Sequence, residues 1–171
     1  MRLYEALEKQ NLDTLYGVSG MNLDILARAP FWEINADFKH GTGHGVGHVL
    51  NVHEGPNAFR WRLTPGRSES TPLEEGMITS DEPGVYWEGK YGIRLENEIL
   101  CRKGEKNEFG QFMYFENLTF VPFDLEVLDP EQMDSRERGY LNAYHAEVYE
   151  KVAPLLTPEE AEWLKEATRP V

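Results

Sequence analysis

The sequence has little cysteine and no long apolar run, and each shortage excludes a class of protein. Its 171 residues include one cysteine, Cys101, so no disulfide can form within the chain. A lone thiol is typical of a reducing compartment, and we therefore expect a cytoplasmic location. No segment approaches the roughly 18 consecutive apolar residues that a membrane-spanning helix needs, so a membrane is not an expected partner.

Basic residues are also scarce. The chain has 17 lysines and arginines against 30 aspartates and glutamates, which gives a net charge of −13. A surface with this charge repels phosphate backbones, so nucleic acid is not an expected partner either. Most of the acidic side chains are expected to serve solubility alone. Only carboxylates that lie near histidines are therefore candidates for chemistry.

Hydrophobic periodicity predicts helices near both ends of the chain. The first is predicted over residues 1–9 and the second over about residues 21–32, with Leu23, Leu26 and Ala27 on its apolar face. Near the C-terminus, Asp134 to Glu137 has the spacing of a capping box and predicts a helix over residues 135–152.

A further short helix is predicted to start at Thr157-Pro158, where an N-cap threonine precedes a proline at the first helical position. The change of character near residues 122–130 suggests a boundary between two domains. We place the first domain at residues 1–125 and a helical C-terminal extension at residues 126–171.

The middle of the chain is predicted to be mostly antiparallel sheet. The segment HGTGHGVGHVLNVHEGP, which starts at His40, is too rich in glycine for a helix and is expected to be a loop that feeds a β-hairpin. Strand-like segments follow it, namely MITS, VYW, YGIRLENEILC and MYFENLTFVPF.

Four of the five histidines lie in this Gly-rich segment, and two glutamates follow on predicted strands: His40, His44, His48, His53, Glu82 and Glu96. Imidazole together with carboxylates suits a divalent cation, and the predominance of oxygen favours Mn²⁺, Mg²⁺ or Fe²⁺ over structural zinc. The alternative is that the imidazoles pack in a loop and the glutamates are solvated, and composition alone leaves both interpretations open. No helical H-E-x-x-H, G-x-S-x-G or cysteine nucleophile pattern is present.

The motifs HGTGHGVG, NVHEGP, DEPGVYW, YGIRLENE and FENLTFVPF occur in the order and approximate spacing of the aminopeptidase P family, which the whole chain resembles. The resemblance implies an α+β fold, the C-terminal half of a pita-bread fold. Its parts are a curved, mostly antiparallel sheet with flanking helices, and a C-terminal helical extension like that of the longer cytosolic members. The implied reaction is metal-dependent hydrolysis of the N-terminal Xaa-Pro bond, with peptides that carry proline at the second position as substrates.

Members of this family hold two metal ions, usually Mn²⁺, with two aspartates, one histidine and two glutamates. The resemblance assigns the histidine to His44 of GTGH, the first glutamate to Glu82 of DEPG and the second to Glu96 of GIRLEN. Glu82 is also the implied general base, which acts on water that the metal ions activate.

The resemblance places further side chains around the substrate. His40 and His53 are implied to line the substrate side, where an imidazole can hydrogen-bond the peptide carbonyl or carry a proton to the leaving proline nitrogen. Arg94 would share a strand face with Glu96 and orient carboxylates through a bidentate contact. Tyr86 would border the pocket.

These side chains also have plain structural interpretations, a packed loop imidazole and a surface arginine. His48 and His145 match no ligand position of the family, and we expect them to be packing or surface residues.

The family's two aspartate ligands lie upstream of the histidine motif, and this chain has no such pair. Asp13 and Asp24 have a similar interval, but Asp24 lies on a predicted helix close to His44, and we reject both as ligands. We therefore expect one metal ion or none in this chain. We also expect no peptidase activity from the chain alone, with the missing N-terminal half of the enzyme as a partner.

Two other functions are left open. The chain could be a non-catalytic binding module that uses its helical tail for a homodimer, or a prolidase- or creatinase-like relative with other substrates. The tail, GYLNAYHAEVYEKVAPLL and EEAEWLKEAT, is apolar enough to pack on a second copy or on its own sheet. Bound Mn²⁺ without turnover would indicate an enzyme fragment, whereas neither metal nor turnover would favour the binding module.

Overall fold

The computed structural model describes residues 13–49, 51–65 and 70–171. The helix predicted over residues 1–9 lies outside these ranges. The chain divides into two compact units, of which the first ends at Leu118 and the second comprises residues 119–171. None of the helices in the described ranges has the length and apolar character needed to cross a bilayer.

Antiparallel strands dominate the described part of the first unit, as the sequence predicts. One helix accompanies them, α1 (Gly20–Trp32). The strands are β1 (Thr14–Leu15), β2 (Gly43–His44), β3 (Ala58–Phe59), β4 (Ile78–Asp81), β5 (Gly84–Trp87), β6 (Tyr91–Arg94), β7 (Asn97–Asn107) and β8 (Gly110–Asn117). Four of them form a sheet in the order β1-β8-β7-β4, and β2 with β3 and β5 with β6 form two-stranded ribbons. The α+β class is therefore confirmed.

Helix α1 packs its apolar face into two neighbouring clusters of the core. Leu23 packs with Ile99 of β7 and with Cys101, which is fully buried. Ala27 is also fully buried and packs in a cluster with Val85 of β5. The predicted face of this helix is thus confirmed. Because α1 is packed into the core, the start of the Gly-rich segment that follows it is fixed in position.

Strand β2 lies so close to β4 that only glycine fits at position 43. A Cβ atom on Gly43 would overlap the carbonyl oxygen of Ser80. The N–H of His44 donates to Ser80 Oγ at 3.0 Å, and the N–H of Glu82 donates to the carbonyl of Thr42 at 2.7 Å. This close approach joins the Gly-rich segment to the end of β4.

The second unit contains two helices, α2 (Ser135–Val152) and α3 (Pro158–Ala167), with short 3₁₀ turns at Leu125–Val127, Pro130–Gln132 and Ala153–Leu155. The Asp134 carboxylate accepts hydrogen bonds from two N–H groups of the first turn of α2, and Glu137 accepts from the Asp134 N–H. The predicted capping box and helix are therefore confirmed. Helix α3 begins at the predicted threonine cap, Thr157, which pairs with Glu160.

Helix α2 holds the segment that precedes the 3₁₀ turns. The Tyr144 hydroxyl lies 3.1 Å from the carbonyl oxygen of Thr119 and 2.9 Å from that of Val121. The N–H of Phe123 donates to Nε2 of His145 at 3.0 Å. His145 is fully buried, as a packing residue, and burial lowers its pKa. These contacts lie within the second unit, which starts at Thr119. The domain boundary between residues 125 and 126 stays a prediction.

Candidate metal centre

Glu82 and Glu96 lie at the two ends of the β5–β6 hairpin. Glu82 directly follows β4, and Glu96 lies between β6 and β7. The register pairs Gly84 with Arg94 at the base of the hairpin, and the N–H of Leu95 donates to the carbonyl of Pro83 at 3.3 Å. The hairpin therefore brings together two carboxylates that are well separated along the chain.

His44 approaches Glu82 from β2. Its Nε2 atom lies 3.1 Å from Oε1 of Glu82, and its Nδ1 atom lies 3.1 Å from the carbonyl oxygen of Gly45. Both ring nitrogens thus face an oxygen that only accepts hydrogen bonds. In the tautomer with the proton on Nδ1, Nε2 would be available to a cation beside Glu82 Oε1, and in the other tautomer Nε2 donates to Glu82.

Arg94 contacts both glutamates. Its Nε atom lies 2.9 Å from Oε2 of Glu96, and its Nη1 atom lies 3.6 Å from Oε2 of Glu82. Burial acts to lower the pKa of the guanidinium, but the charge of Glu96 and a hydrogen bond with Tyr86 outweigh it and raise the pKa. The Arg94 side chain is 48% exposed, so solvent screens these ion pairs and they are individually weak.

The donor chemistry fits a divalent cation at His44 and Glu82, because an imidazole nitrogen and a carboxylate oxygen lie next to each other there. The third expected ligand, Glu96, faces Arg94 instead. In residues 13–49, 51–65 and 70–171, accordingly, no three His, Cys, Asp or Glu side chains are grouped closely enough to hold a metal ion. The structure thus brings the predicted ligands into one neighbourhood, with an arginine among them.

The two histidines predicted on the substrate side lie in different surroundings. His53 is exposed, and its ring centroid lies 4.3 Å from that of His44. His40 is half-buried, with Nδ1 at 2.6 Å from the carbonyl oxygen of Gly41 and its ring centroid 5.4 Å from that of Tyr86. Within the described part of the chain, the buried Nε2 of His40 has no hydrogen-bond partner. His53 is therefore open to solvent beside His44, whereas Nε2 of His40 is shielded from it.

Asp24 is engaged elsewhere, in agreement with its exclusion as a ligand. It is fully buried, and its carboxylate accepts hydrogen bonds from Arg28 Nε at 2.5 Å and from Thr42 Oγ1 at 2.7 Å. Arg28 also donates to the carbonyl oxygens of Phe38 and His40. The Asp24–Arg28 pair therefore ties α1 to the segment that carries the histidines. Asp13 is exposed.

Sequence reasoning missed Asp81, the residue before Glu82. Asp81 is fully buried, and neither of its carboxylate oxygens has a hydrogen-bond partner among the described residues. Burial, followed by the negative charges of Glu82 and Asp24, raises its pKa well above the ordinary value, because each disfavours the charged form. Successive side chains of an extended chain point to opposite faces, so Asp81 is expected to point into the core if Glu82 faces the candidate metal centre. This alternation is the sequence signal that could have identified Asp81.

The fold and this group of side chains define a class, the pita-bread metallopeptidases, of which the first unit has the curved antiparallel sheet. The chain belongs to metallopeptidase family M24. The sequence model of that family matches residues 2–103, and the model of the C-terminal region of peptidase M24 matches residues 111–171.

Aminopeptidases P are among the relatives. The chain is 46% identical over 159 residues to aminopeptidase P2 of Arabidopsis thaliana, covering 91% of this chain and 22% of the relative. It superposes on X-prolyl aminopeptidase from Caenorhabditis elegans, described as a cytosolic enzyme with a di-nuclear active site, with a TM-score of 0.86 and 36% identity.

That match covers 99% of this chain and 28% of the other, so the chain spans about a quarter of the length of its relatives. The Xaa-Pro dipeptidase from Bacillus anthracis is more distant, with a TM-score of 0.51, 32% identity and coverage of 71% of this chain and 30% of that one. These matches confirm the resemblance to aminopeptidase P.

Proposed function

We propose that this chain supplies His44, Glu82 and Glu96 to a two-metal centre that hydrolyses the N-terminal Xaa-Pro bond of peptides. The observation that carries the proposal is the convergence of His44 Nε2 and Glu82 Oε1 at 3.1 Å, which brings together two atoms of the types that bind divalent cations. The reaction itself is proposed from the relatives, which are named aminopeptidase P and X-prolyl aminopeptidase.

Mn²⁺ is the metal we propose for this centre. When bound, a pair of such ions supplies a water of lowered pKa and polarises the scissile carbonyl. Glu82 would accept the proton of the attacking water. Arg94 contacts both glutamates and would act on their metal binding, either by orienting the Glu96 carboxylate or by competing for it.

The substrate requires a proton donor, because an amide nitrogen must be protonated to leave, and the nitrogen of an Xaa-Pro bond carries no hydrogen of its own. His40 and His53 are proposed for the substrate side. His53 is exposed next to His44 and can donate a hydrogen bond to the substrate carbonyl. His40 has an Nε2 without a partner among the described residues, which can receive and return a proton.

The chain alone is proposed to be inactive, because two aspartate ligands must come from a partner that represents the rest of the enzyme. A cytoplasmic location is proposed on the single cysteine of the chain and on the cytosolic relative.

A chimera tests this function. The matching segment of the C. elegans enzyme is replaced by this chain, and release of the first residue from an Xaa-Pro-Xaa peptide is measured with Mn²⁺. We expect turnover by the chimera and none by the chain alone, and a Glu82→Gln chimera is the matched inactive control. A folded, metal-loaded chimera without turnover would contradict the proposed activity, and turnover by the isolated chain would contradict its proposed inactivity.

The dipeptidase alternative is tested in the same assay with Xaa-Pro dipeptides. The cytosolic aminopeptidase covers 99% of this chain, whereas the dipeptidase covers 71%. We therefore expect the chimera to prefer the longer peptide, and a preference for dipeptides would favour the prolidase-like function.

A homodimer through the C-terminal region is a second proposal, which rests on exposed apolar side chains of the second unit. Trp163 is 65% exposed and lines a groove of about 470 Å³ together with Phe123, Leu125 and Ala167. Light scattering should give twice the chain mass, and Trp163→Glu should give the monomer. A wild-type monomer at all concentrations would rule out the dimer.

A further inference from the structure

The Glu82 carboxylate is shared between a histidine and an arginine. Oε1 lies 3.1 Å from His44 Nε2, whereas Oε2 lies 3.6 Å from Arg94 Nη1. The same guanidinium reaches Oε2 of Glu96 with its Nε atom at 2.9 Å. Each glutamate thus turns one oxygen toward the positive charge of Arg94.

We propose that Arg94 is an internal counter-ion, which takes the place of a divalent cation between Glu82 and Glu96 and must be displaced when metal binds there. The inference rests on the proposed metal centre. Two carboxylates that converge repel each other unless a cation lies between them, and the guanidinium fork is suited to contact both. A metal ion needs the same oxygens, and a guanidinium that stays nearby repels it.

Displacement of Arg94 is sterically feasible. The side chain of Arg94 is 48% exposed, and that of Glu96 is 37% exposed. A long arginine side chain can turn into solvent without leaving a buried polar group unsatisfied. The role of orienting carboxylates and the role of counter-ion predict opposite results when Arg94 is removed. Loss of an orienting residue weakens metal binding, whereas loss of a competing cation strengthens it.

The test measures the Mn²⁺ affinity of the full chain from the electron paramagnetic resonance signal of free Mn²⁺. We expect Arg94→Gln to bind Mn²⁺ about tenfold more tightly than the wild type, which corresponds to about 1.4 kcal/mol. Arg102→Gln is the matched control, because Arg102 is 43% exposed and pairs with Glu116 at 2.8 Å on β7 and β8. This control removes the same charge and should leave the affinity unchanged. Arg94→Lys keeps the charge but loses the fork, and its affinity should lie between those of Arg94→Gln and the wild type.

The Glu82→Gln variant identifies the site and separates the possible failures. If Arg94→Gln binds Mn²⁺ no more tightly than the wild type, and this binding is still lost in Glu82→Gln, the counter-ion role of Arg94 is wrong. The proposed metal centre would then still stand. An equal gain in Arg102→Gln would show a general effect of net charge and would also overturn it. If neither the wild type nor Arg94→Gln shows binding that Glu82→Gln removes, both the counter-ion and the proposed centre are wrong.

Discussion

The Nε2 atom of His44 and the Oε1 atom of Glu82 lie 3.1 Å apart, and the Nδ1 atom of the same ring lies 3.1 Å from the carbonyl oxygen of Gly45. The two residues come from different strands, β2 and the end of β4. Their distance depends on the close approach of Gly43 to Ser80. The proposed metal site therefore depends on a backbone contact as well as on ligands.

Replacement of His44 by alanine should weaken Mn²⁺ binding by at least about tenfold. Even residues that only support metal ligands contribute factors of about 10 to 100, and a ligand should contribute no less. Titration calorimetry on the full chain measures the effect. His48→Ala is the control, because His48 is exposed in the same segment and matches no ligand position. Equal affinities of the two variants would exclude His44 as a ligand.

Replacement of Gly43 by alanine should lower the free energy of unfolding by about 1 to 3 kcal/mol, because the added methyl group overlaps the Ser80 carbonyl and pushes β2 away from β4. Urea unfolding followed by circular dichroism measures this. Gly139→Ala in helix α2 has open space around its new Cβ and should be neutral or stabilising by up to about 1 kcal/mol. A Gly43→Ala protein as stable as the wild type would show that the strands tolerate separation.

The sequence predicts helices well, because their signals are local. The capping box at Asp134 and Glu137 defines the start of α2, and the N-cap at Thr157 defines the start of α3. The position of the β5–β6 hairpin is also local, since the strand residues on both sides of Gly89 have high β propensity. What the sequence predicts poorly is where segment 119–123 packs, because this depends on contacts with Tyr144 and His145 that lie far along the chain.

The neighbourhood of the candidate centre could likewise be predicted only in part. The motifs that resemble aminopeptidase P point to His44, Glu82 and Glu96, and strand alternation predicts that Arg94 lies on the same face as Glu96. No local signal predicts that Arg94 also reaches Glu82. That contact depends on the hairpin register and on a side-chain conformation, neither of which has a local signal. The burial of Asp81 also depends on tertiary packing around β4, which strand alternation alone does not predict.

Replacement of Asp24 by alanine should lower the free energy of unfolding by about 3 to 5 kcal/mol, because it leaves the charge of Arg28 buried without its carboxylate. Asp37→Ala is the matched control, since Asp37 pairs with the same guanidinium at 2.8 Å but is 41% exposed. This second change should cost no more than about 1 kcal/mol. Chemical unfolding compares the two variants, and similar losses would show that the pair at Asp24 is not the dominant one.

His145 should make stability depend on pH in the range below its ordinary pKa of 6.5. Burial lowers the pKa in the folded state, so above pH 6.5 both states are neutral and the full stability is present. As the pH falls below 6.5, the unfolded chain binds a proton first, and the free energy of unfolding decreases until the folded-state pKa is reached.

Urea unfolding at about pH 7.5 and about pH 5.5 measures this loss. His145→Gln keeps an acceptor for the Phe123 N–H but cannot titrate, and it should lose less stability over the same range. Identical losses in the two proteins would assign the pH dependence to other groups.

The burial of Cys101 has a practical consequence for spectroscopy. Burial raises its pKa to about 11, so the thiol is neither accessible nor ionised at neutral pH and should not react with maleimides. A cysteine introduced at the exposed tip of the β5–β6 hairpin, as in Glu88→Cys, would then be the single reactive position of the chain. A spin label attached there would report its distance from a paramagnetic Mn²⁺ ion without first removing the native cysteine.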